Sequence, residues 1–308
     1  MGEITIVTAF FDIKRGDWNQ SSMGNEEYLR HFSSWAGIKN NIIVYTDFNM
    51  AERVLNVRSD YGLREKTKVV VIDDYLSLDK ELLNSITTAM NAPHAREYHF
   101  KPDHPEAWNP IYNYVMLLKW WSVCDAINKG YAKGNIAWID FGFNKSGTYY
   151  TKPDEISFLW DVELEHKIHL FSINELDQIP IYEVIQRMDT YIQGCNIIAP
   201  DVLWLQFWND VRTAMLELNN CGLCDDDQVL MLMAYRKHPE LYKVIKCPWF
   251  GIFTATGVNG LTVRGTKPDI SIKGKIRALR KKVNYKKMVR RYIKIQKKIL
   301  LIRNTLSD

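Results

Sequence analysis

The chain has 308 residues, 46% of them hydrophobic and 25% charged, which is the composition of a globular protein with a sizeable core. No run approaches the roughly 18 consecutive apolar residues that a membrane-spanning helix needs. The first residues enter a strand pattern without the basic and apolar regions of a signal peptide, and the five cysteines lack the spacing of a zinc site. We therefore expect a reduced, cytoplasmic protein.

The net charge of +4 is distributed unevenly along the chain. Residues 267–308 contain fifteen Lys and Arg against two Asp, whereas the rest of the chain contains 25 basic and 34 acidic residues. Apolar residues in this segment recur three or four apart among the basic ones, which predicts a C-terminal basic amphipathic helix. The apolar positions are Ile276, Leu279, Val283, Met288, Tyr292, Ile295, Ile299 and Ile302.

This helix divides the predicted organisation into a domain over residues 1–266 and a tail over residues 267–308. Such a tail suits an anionic membrane surface and would hold the protein peripherally at the inner face of the plasma membrane. A helix packed on the body of the protein or on a partner is the alternative. Because the body is acidic, we expect no nucleic acid partner.

Strand-like and helical patterns alternate along the domain. Strand patterns cover residues 4–11, 41–46, 68–72, 135–139, 167–172, 193–199 and 244–253. Helical patterns cover residues 25–38, 51–63, 78–90, 111–128, 201–218 and 228–236. The alternation predicts an α/β fold in which a parallel sheet is covered by helices on both faces.

The apolar run from Asn135 to Ile139 ends in the carboxylate of Asp140, and Gly142 follows. A buried strand that delivers an acid at its carboxyl end, followed by a residue that lets another backbone approach, is typical of the ligand site of an open α/β sheet. Sugar-nucleotide transferases have a metal-binding carboxylate at such a position. An aspartate that caps the turn after the strand is the alternative.

Three further positions lie where the same ligand would bind. Arg15, in the polar loop after the first strand, could hold a pyrophosphate with its bidentate guanidinium, or could be a solvated surface residue. Asp47 ends the second strand and could accept hydrogen bonds from a base or ribose, or could cap the following helix. Lys119 lies inside an apolar helix, where it could bind a phosphate or a sugar hydroxyl, or could extend to the surface. Glycine-rich dinucleotide and P-loop motifs are absent from this loop.

Asp225, Asp226 and Asp227 precede Gln228 at the start of a predicted helix. Three adjacent carboxylates repel one another unless a cation or substrate hydroxyls relieve the repulsion. The helix dipole favours negative charge at this end, and capping explains one aspartate but not three. In the preceding strand, Gly194 would let an acceptor sugar approach the backbone, or could simply mark a bulge.

The order of these motifs resembles the HtrL/YibB (WlaTC) family, whose members are encoded with lipopolysaccharide and surface-glycan genes. The resemblance covers roughly residues 3 to 260 and is most specific in the first loop and in Trp138 to Gly142. Its other motifs are Thr8-Ala9-Phe10-Phe11-Asp12 with Arg15 and Trp18, Tyr45-Thr46-Asp47, the strand with Gly194, and Asp226-Asp227-Gln228.

The family resembles GT-A glycosyltransferases, and this resemblance implies a GT-A-like nucleotide-binding sheet, a nucleotide-sugar donor and Mn²⁺ or Mg²⁺. GT-A enzymes usually have an Asp-x-Asp motif, whereas Gly142 replaces the second acid here. Asp140 is therefore the one metal ligand that the resemblance supports. Asp225, Asp226 or a histidine could complete the coordination, or the enzyme could be independent of metal.

The resemblance implies transfer of a sugar, from a UDP-sugar in the first instance, to a lipopolysaccharide or another glycan or lipid-linked acceptor. The implied catalytic residues are Asp227 and Gln228, and Gly194 and Asn196 would contact the acceptor. The implied donor-binding residues are Thr8, Ala9, Phe10, Phe11, Arg15, Asp47, Lys119 and Gly142. A nucleotide-sugar hydrolase and a non-catalytic binding or scaffold protein are the alternatives.

Overall fold

The computed structural model describes residues 2–19, 22–152 and 155–264, together with the single positions 290, 293, 294 and 297. Apart from those four positions, the predicted amphipathic helix over residues 267–308 lies outside the described residues. Within the described part of the chain, none of the helices combines the length and the apolar character needed to cross a bilayer.

Seven strands of the described chain form one mixed sheet in the order β3-β2-β1-β4-β6-β5-β7. Their bounds are Thr5–Phe10 (β1), Ile42–Thr46 (β2), Thr67–Val71 (β3), Asn135–Ile139 (β4), Ile168–Ser172 (β5), Ile192–Pro200 (β6) and Tyr242–Lys246 (β7). Strands β3, β2, β1 and β4 are parallel, and β7 is parallel to β5. Strand β6 runs antiparallel to both of its neighbours.

The predicted parallel sheet is therefore confirmed for β1, β2, β3 and β4, and β6 departs from it. All nine residues of β6 are buried, because the strand lies between β4 and β5 with helices on both faces. Burial on both faces is expected of a central strand of either direction, so the sequence of β6 does not distinguish a parallel strand from an antiparallel one.

Helices cover both faces of the sheet, as predicted. Their bounds are Asn25–Ser33 (α1), Phe48–Asp60 (α2), Lys80–Met90 (α3), Pro105–Trp108 (α4), Pro110–Asn128 (α5), Ile181–Arg187 (α6), Asp201–Asn220 (α7), Asp227–Lys237 (α8) and Ile252–Ala255 (α9). One core lies between the sheet and α3, α5, α7 and α8, and the other lies between the sheet and α1, α2 and α9. Val7 and Ile6, adjacent in β1, point into the two different cores. The α/β class is confirmed.

Two predicted boundaries were wrong by about five residues or more. The strand predicted over residues 244–253 ends at Lys246, because Pro248 cannot donate a ladder hydrogen bond, and the chain then forms α9. The helix predicted over residues 25–38 ends at Ser33, and the following turn buries Trp35 completely. Neither α6 nor α9 was predicted, because both are too short to show helical periodicity.

Helix α5 positions the candidate site. It starts at Pro110, after the side chain of Asn109 accepts a hydrogen bond from the Tyr112 backbone amide at 3.1 Å. The helix packs on β1 and β4 on one side and on α3 and α7 on the other, and it is apolar around most of its circumference. A polar side chain in its middle, such as Lys119, is therefore directed into the protein interior.

The order of the parallel strands reverses between β1 and β4. From β1 the chain moves outward through β2 and β3, and it then returns to place β4 on the other side of β1. Ligands of open α/β sheets bind at such a switch point, in the crevice beyond the carboxyl ends of the strands. The loop after Phe10 and the segment after Ile139 form the walls of that crevice.

Candidate functional site

A cavity of about 380 Å³ opens at the carboxyl edge of β1 and β4. Its walls come from the loop after β1, the segment after β4, the middle of β6 and the first turn of α8. Small-molecule sites are typically 300–1,000 Å³ in volume and occur preferentially at switch points of this kind. The cavity is therefore large enough for a ligand of about the size of a nucleotide.

Lys119 lies at the floor of this cavity and connects three of its walls. Its Nζ atom is 3.0 Å from Asp140 Oδ1, 2.6 Å from Asp227 Oδ2 and 3.1 Å from the Gly194 carbonyl oxygen. Lys119 is 6% exposed, so it does not extend to the surface. The sequence predicted a phosphate or a sugar hydroxyl as its partner, whereas the protein itself supplies two carboxylates, those of Asp140 and Asp227.

The electrostatics of this group follow from its burial. Burial alone lowers the pKa of Lys119, but Asp140 and Asp227 outweigh burial and raise that pKa well above its ordinary value. Lys119 is therefore a permanent cation. Burial raises the pKa of Asp227, and Lys119 acts against this rise. Asp226 adds another carboxyl group to the same wall. Burial raises the pKa of Asp226 well above its usual range, and Glu106 and Asp227 add to this effect.

Asp140 is held in place from two directions. Its backbone amide donates to the Cys195 carbonyl oxygen at 2.8 Å, and the Trp138 indole Nε1 donates to Asp140 Oδ1 at the same distance. The Asp140 side chain is 30% exposed, and the residue lines the cavity. The position is the one predicted, at the carboxyl end of a buried strand. The role of Trp138 was not predicted, although the tryptophan belongs to the same motif.

Gly194 makes room for Asp227. A Cβ atom at position 194 would lie 2.6 Å from Asp227 Cγ, and closer still to both carboxylate oxygens. Real Cβ atoms essentially never approach another atom within 3.0 Å. The space that the sequence suggested for an acceptor sugar is thus filled by a carboxylate. This contact explains why a glycine fits in the middle of β6.

Most of the predicted site residues meet at the cavity. Those that line it are Ala9, Phe10, Phe11, Arg15, Lys119, Asp140, Gly142, Gly194, Asp227 and Gln228. Three predicted residues lie outside its lining. Thr8 is buried in β1, and Asn196 is buried in β6, where it pairs with Ile139 below the edge of the sheet. Asp47 caps α2 by accepting a hydrogen bond from the Met50 amide at 3.1 Å, which was the stated alternative.

Several cavity residues were not predicted from the sequence. Tyr28 on α1 accepts a hydrogen bond from Arg15 Nη1 at 3.0 Å, which helps to hold the arginine over the cavity. His31, one turn further along α1, contacts Ser146 Oγ through Nδ1 at 2.6 Å. Both line the cavity, as does Tyr112 at the start of α5. Tyr28 and His31 are three residues apart and therefore share one face of α1, but the same spacing also fits a helix that faces the core.

An aromatic group extends the rim on the side of the first loop. The Trp18 ring lies 5.4 Å from that of Trp108 and 6.2 Å from that of Tyr112, centroid to centroid. The guanidinium of Arg15 lies 5.6 Å from the centre of the Trp18 ring. Trp108 is 36% exposed, so the group offers apolar ring surface beside the cavity. Planar apolar surfaces of this kind bind bases or the apolar faces of sugars.

Comparisons with known proteins agree with the resemblance of the motifs. A family model described as a bacterial protein of unknown function (HtrL_YibB) matches residues 2–256. Protein HtrL of Escherichia coli (strain K12) is 31% identical over 281 residues, which cover 83% of this chain and 93% of HtrL. The apo crystal structure of mouse xyloside xylosyltransferase 1 aligns with 82% of this chain and 93% of its own, at 11% identity and a TM-score of 0.39. The predicted resemblance is confirmed, and the chain belongs to the HtrL_YibB family.

Proposed function

We propose that this protein is a glycosyltransferase that moves a sugar from a nucleotide-sugar donor to a glycan or lipid-linked acceptor. The observation that carries the proposal is the Lys119–Asp140–Asp227 group at the floor of a cavity between β1 and β4. The cavity supports nucleotide binding because it lies at the switch point of the sheet. The buried carboxylates support chemistry, because perturbed titratable groups in a cleft are typical of active sites.

The donor would bind along the loop after β1. Arg15 is held by Tyr28 and lines the cavity, so its planar guanidinium can bind a diphosphate through two parallel hydrogen bonds. Lys145 also lines the cavity and adds a second positive charge. Phe10 and Phe11 supply apolar surface next to Arg15. We take a UDP-sugar as the first donor to test.

Asp140 would hold Mn²⁺ or Mg²⁺ if the donor binds with a metal ion. Such ions are commonly bound by one or two carboxylates, with substrate phosphates and water completing the shell, so one partly exposed carboxylate fits this role. The ion would neutralise charge on the diphosphate leaving group. Lys119 already offers a fixed positive charge at the same carboxylate, so a metal-independent enzyme is the alternative.

Asp227 would be the carboxylate next to the anomeric carbon. It would act as a general base in an inverting transfer or stabilise positive charge in a retaining one. Lys119 fixes its orientation through the 2.6 Å contact, and Gln228 follows it on the cavity wall, where its amide can orient the sugar or the acceptor. Lipopolysaccharide or another surface glycan is the acceptor class that we propose.

The donor site can be tested by thermal unfolding with nucleotides and nucleotide sugars, each with and without Mn²⁺. A ligand at 100 times its Kd stabilises the folded protein by about 2.7 kcal/mol, so one UDP-sugar should raise the Tm clearly. Asp140→Asn should abolish this rise while keeping the acceptor for the Trp138 indole. Asp47→Asn is the matched control, because asparagine is an equally good helix cap and Asp47 lies outside the cavity lining.

Three outcomes would decide between the candidate functions. A Tm rise that depends on Asp140 but not on Asp47 supports the donor site, and its dependence on Mn²⁺ reports on the metal. Rapid consumption of the sugar nucleotide without any acceptor would indicate a hydrolase. No shift with any nucleotide would contradict the proposal and favour a scaffold protein.

The basic segment after residue 266 would hold the enzyme at an anionic membrane surface. A chain that ends at Thr266 loses fifteen basic residues and should no longer sediment with vesicles that contain phosphatidylserine. Binding of the full chain should also fall as salt screens the charges. The truncated chain should still show the donor-dependent Tm rise. Equal sedimentation of the two chains would contradict the membrane role.

A further inference from the structure

A second, smaller cavity lies behind the first turn of α8, next to the candidate donor site. Its volume is about 20 Å³, which is room for one species of about the size of a water molecule. Four acidic residues line it, namely Glu106, Asp189, Asp225 and Asp226, together with Thr190. Asp226 lines both cavities and so connects them.

Three of these acids come together from two distant parts of the chain, Glu106 from one and Asp225 and Asp226 from the other. Ligand oxygens of Glu106, Asp225 and Asp226 all lie within 4.8 Å of one another. The three residues are 9%, 2% and 4% exposed. Oxygens that share one hard divalent cation, each at 2.0–2.6 Å from it, are separated by distances of this size.

The second observation is an unsatisfied oxygen inside the cluster. Asp225 Oδ1 accepts a hydrogen bond from the Asp226 amide at 2.7 Å, whereas Asp225 Oδ2 is buried without a hydrogen-bond partner among the described residues. Asp225 lines the small cavity. A buried carboxyl oxygen without a hydrogen-bond partner costs free energy, so the position of Asp225 Oδ2 indicates a ligand.

The nearest positive charge pairs with Glu106 and does not account for Asp225 Oδ2. The imidazole Nδ1 of His104 lies 3.2 Å from Glu106 Oε2, and His104 is itself half exposed. Lys101 Nζ contacts the Met188 carbonyl oxygen at 3.4 Å. Helix capping uses Asp226, whose Oδ1 accepts from the Gln228 amide at 3.1 Å, but it leaves Asp225 Oδ2 unexplained.

We propose that Glu106, Asp225 and Asp226 bind one hard divalent cation that is separate from the donor site at Asp140. The ion joins α4 to the segment before α8 and thereby fixes the first turn of α8. Because Asp227 and Gln228 lie in that turn, the ion is a positioning element for the cavity wall. These carboxylates would bind the ion whether or not the larger cavity binds a nucleotide sugar.

The test uses the full chain, stripped of metal with a chelator, and no nucleotide. Ca²⁺, Mg²⁺ and Mn²⁺ are titrated separately by calorimetry, and the Tm is measured with and without each ion. One equivalent of at least one ion should bind and raise the Tm by several degrees. Glu106→Gln and Asp225→Asn, at two separate ends of the cluster, should each weaken this binding at least 100-fold.

Two controls separate this site from other carboxylates. The Asp140→Asn variant should still bind one equivalent of the ion, which distinguishes this ion from one bound with the donor. The Asp210→Asn variant should also bind the ion, because Asp210 is equally buried but has Gln206 and Lys237 as partners. Without ions, Asp225→Asn should melt no lower than the wild type, since the change relieves repulsion.

The proposal is overturned if the metal-free wild type binds none of the three ions. It is equally overturned if Glu106→Gln and Asp225→Asn, both shown to be folded by circular dichroism, bind the ion as well as the wild type does. In either case the carboxyl groups are stabilised by protons shared among them instead of by a cation.

Discussion

Replacing Lys119 by methionine is expected to destabilise the protein by about 3–5 kcal/mol, the cost of removing one partner from a buried ion pair. Methionine fits the shape of the lysine stem but leaves Asp227, whose side chain is 2% exposed, without a compensating charge. The free energy of unfolding in urea measures the effect. Lys129→Met is the control, because Lys129 lies just after the same helix and pairs with Asp125 at the surface. That change should cost less than about 1 kcal/mol.

A double variant identifies the cause of the loss. Lys119→Met combined with Asp227→Asn should be more stable than Lys119→Met alone, because the second change removes the uncompensated buried charge. The remaining carboxylate, Asp140, is partly exposed and can be hydrated. Strictly additive costs of the two single changes would show that Lys119 and Asp227 are not coupled and would contradict the ion pair.

The position of Asp140 was predictable because three local signals agree. An apolar run predicts a buried strand, the acid follows its last residue, and the carboxyl edge of a parallel sheet is where ligands bind. The parallel strands β1 and β4 place that residue at the switch point. Asp47 carried the same signals, yet it caps α2. An acid after a strand fits both roles, and only the three-dimensional position distinguishes them.

The partners of Lys119 could not be predicted from the sequence. The apolar surroundings of Lys119 in α5 already indicated an unusual lysine, but Asp227 is 108 residues further along the chain. Glu106 was missed for a related reason. It lies in a stretch without periodicity, and its approach to Asp225 depends on how α4 packs beside the start of α8. Clusters assembled from distant segments leave no local pattern.

Gly194→Ala is expected to cause the second large loss of stability. The added methyl group would overlap the Asp227 carboxyl group, which cannot rotate away without breaking its contact with Lys119. Overpacking of this kind typically costs 1–3 kcal/mol. Gly194 is not among the residues of positive φ, so the loss would come from the contact and not from backbone strain. Urea unfolding again measures the cost.

Gly142→Ala provides the matched control, since a Cβ atom at position 142 would lie at an ordinary 3.5 Å from the Tyr28 ring in the same cavity. That change should alter the stability by less than about 0.5 kcal/mol. Combining Gly194→Ala with Asp227→Ala should cost little more than Asp227→Ala alone, because the truncated side chain leaves room for the methyl group. Gly194→Ala could instead lower the stability equally in the presence and absence of the Asp227 carboxylate. In that case the glycine is required by the packing of strand β6 itself. Lys119 alone would then position the Asp227 carboxylate.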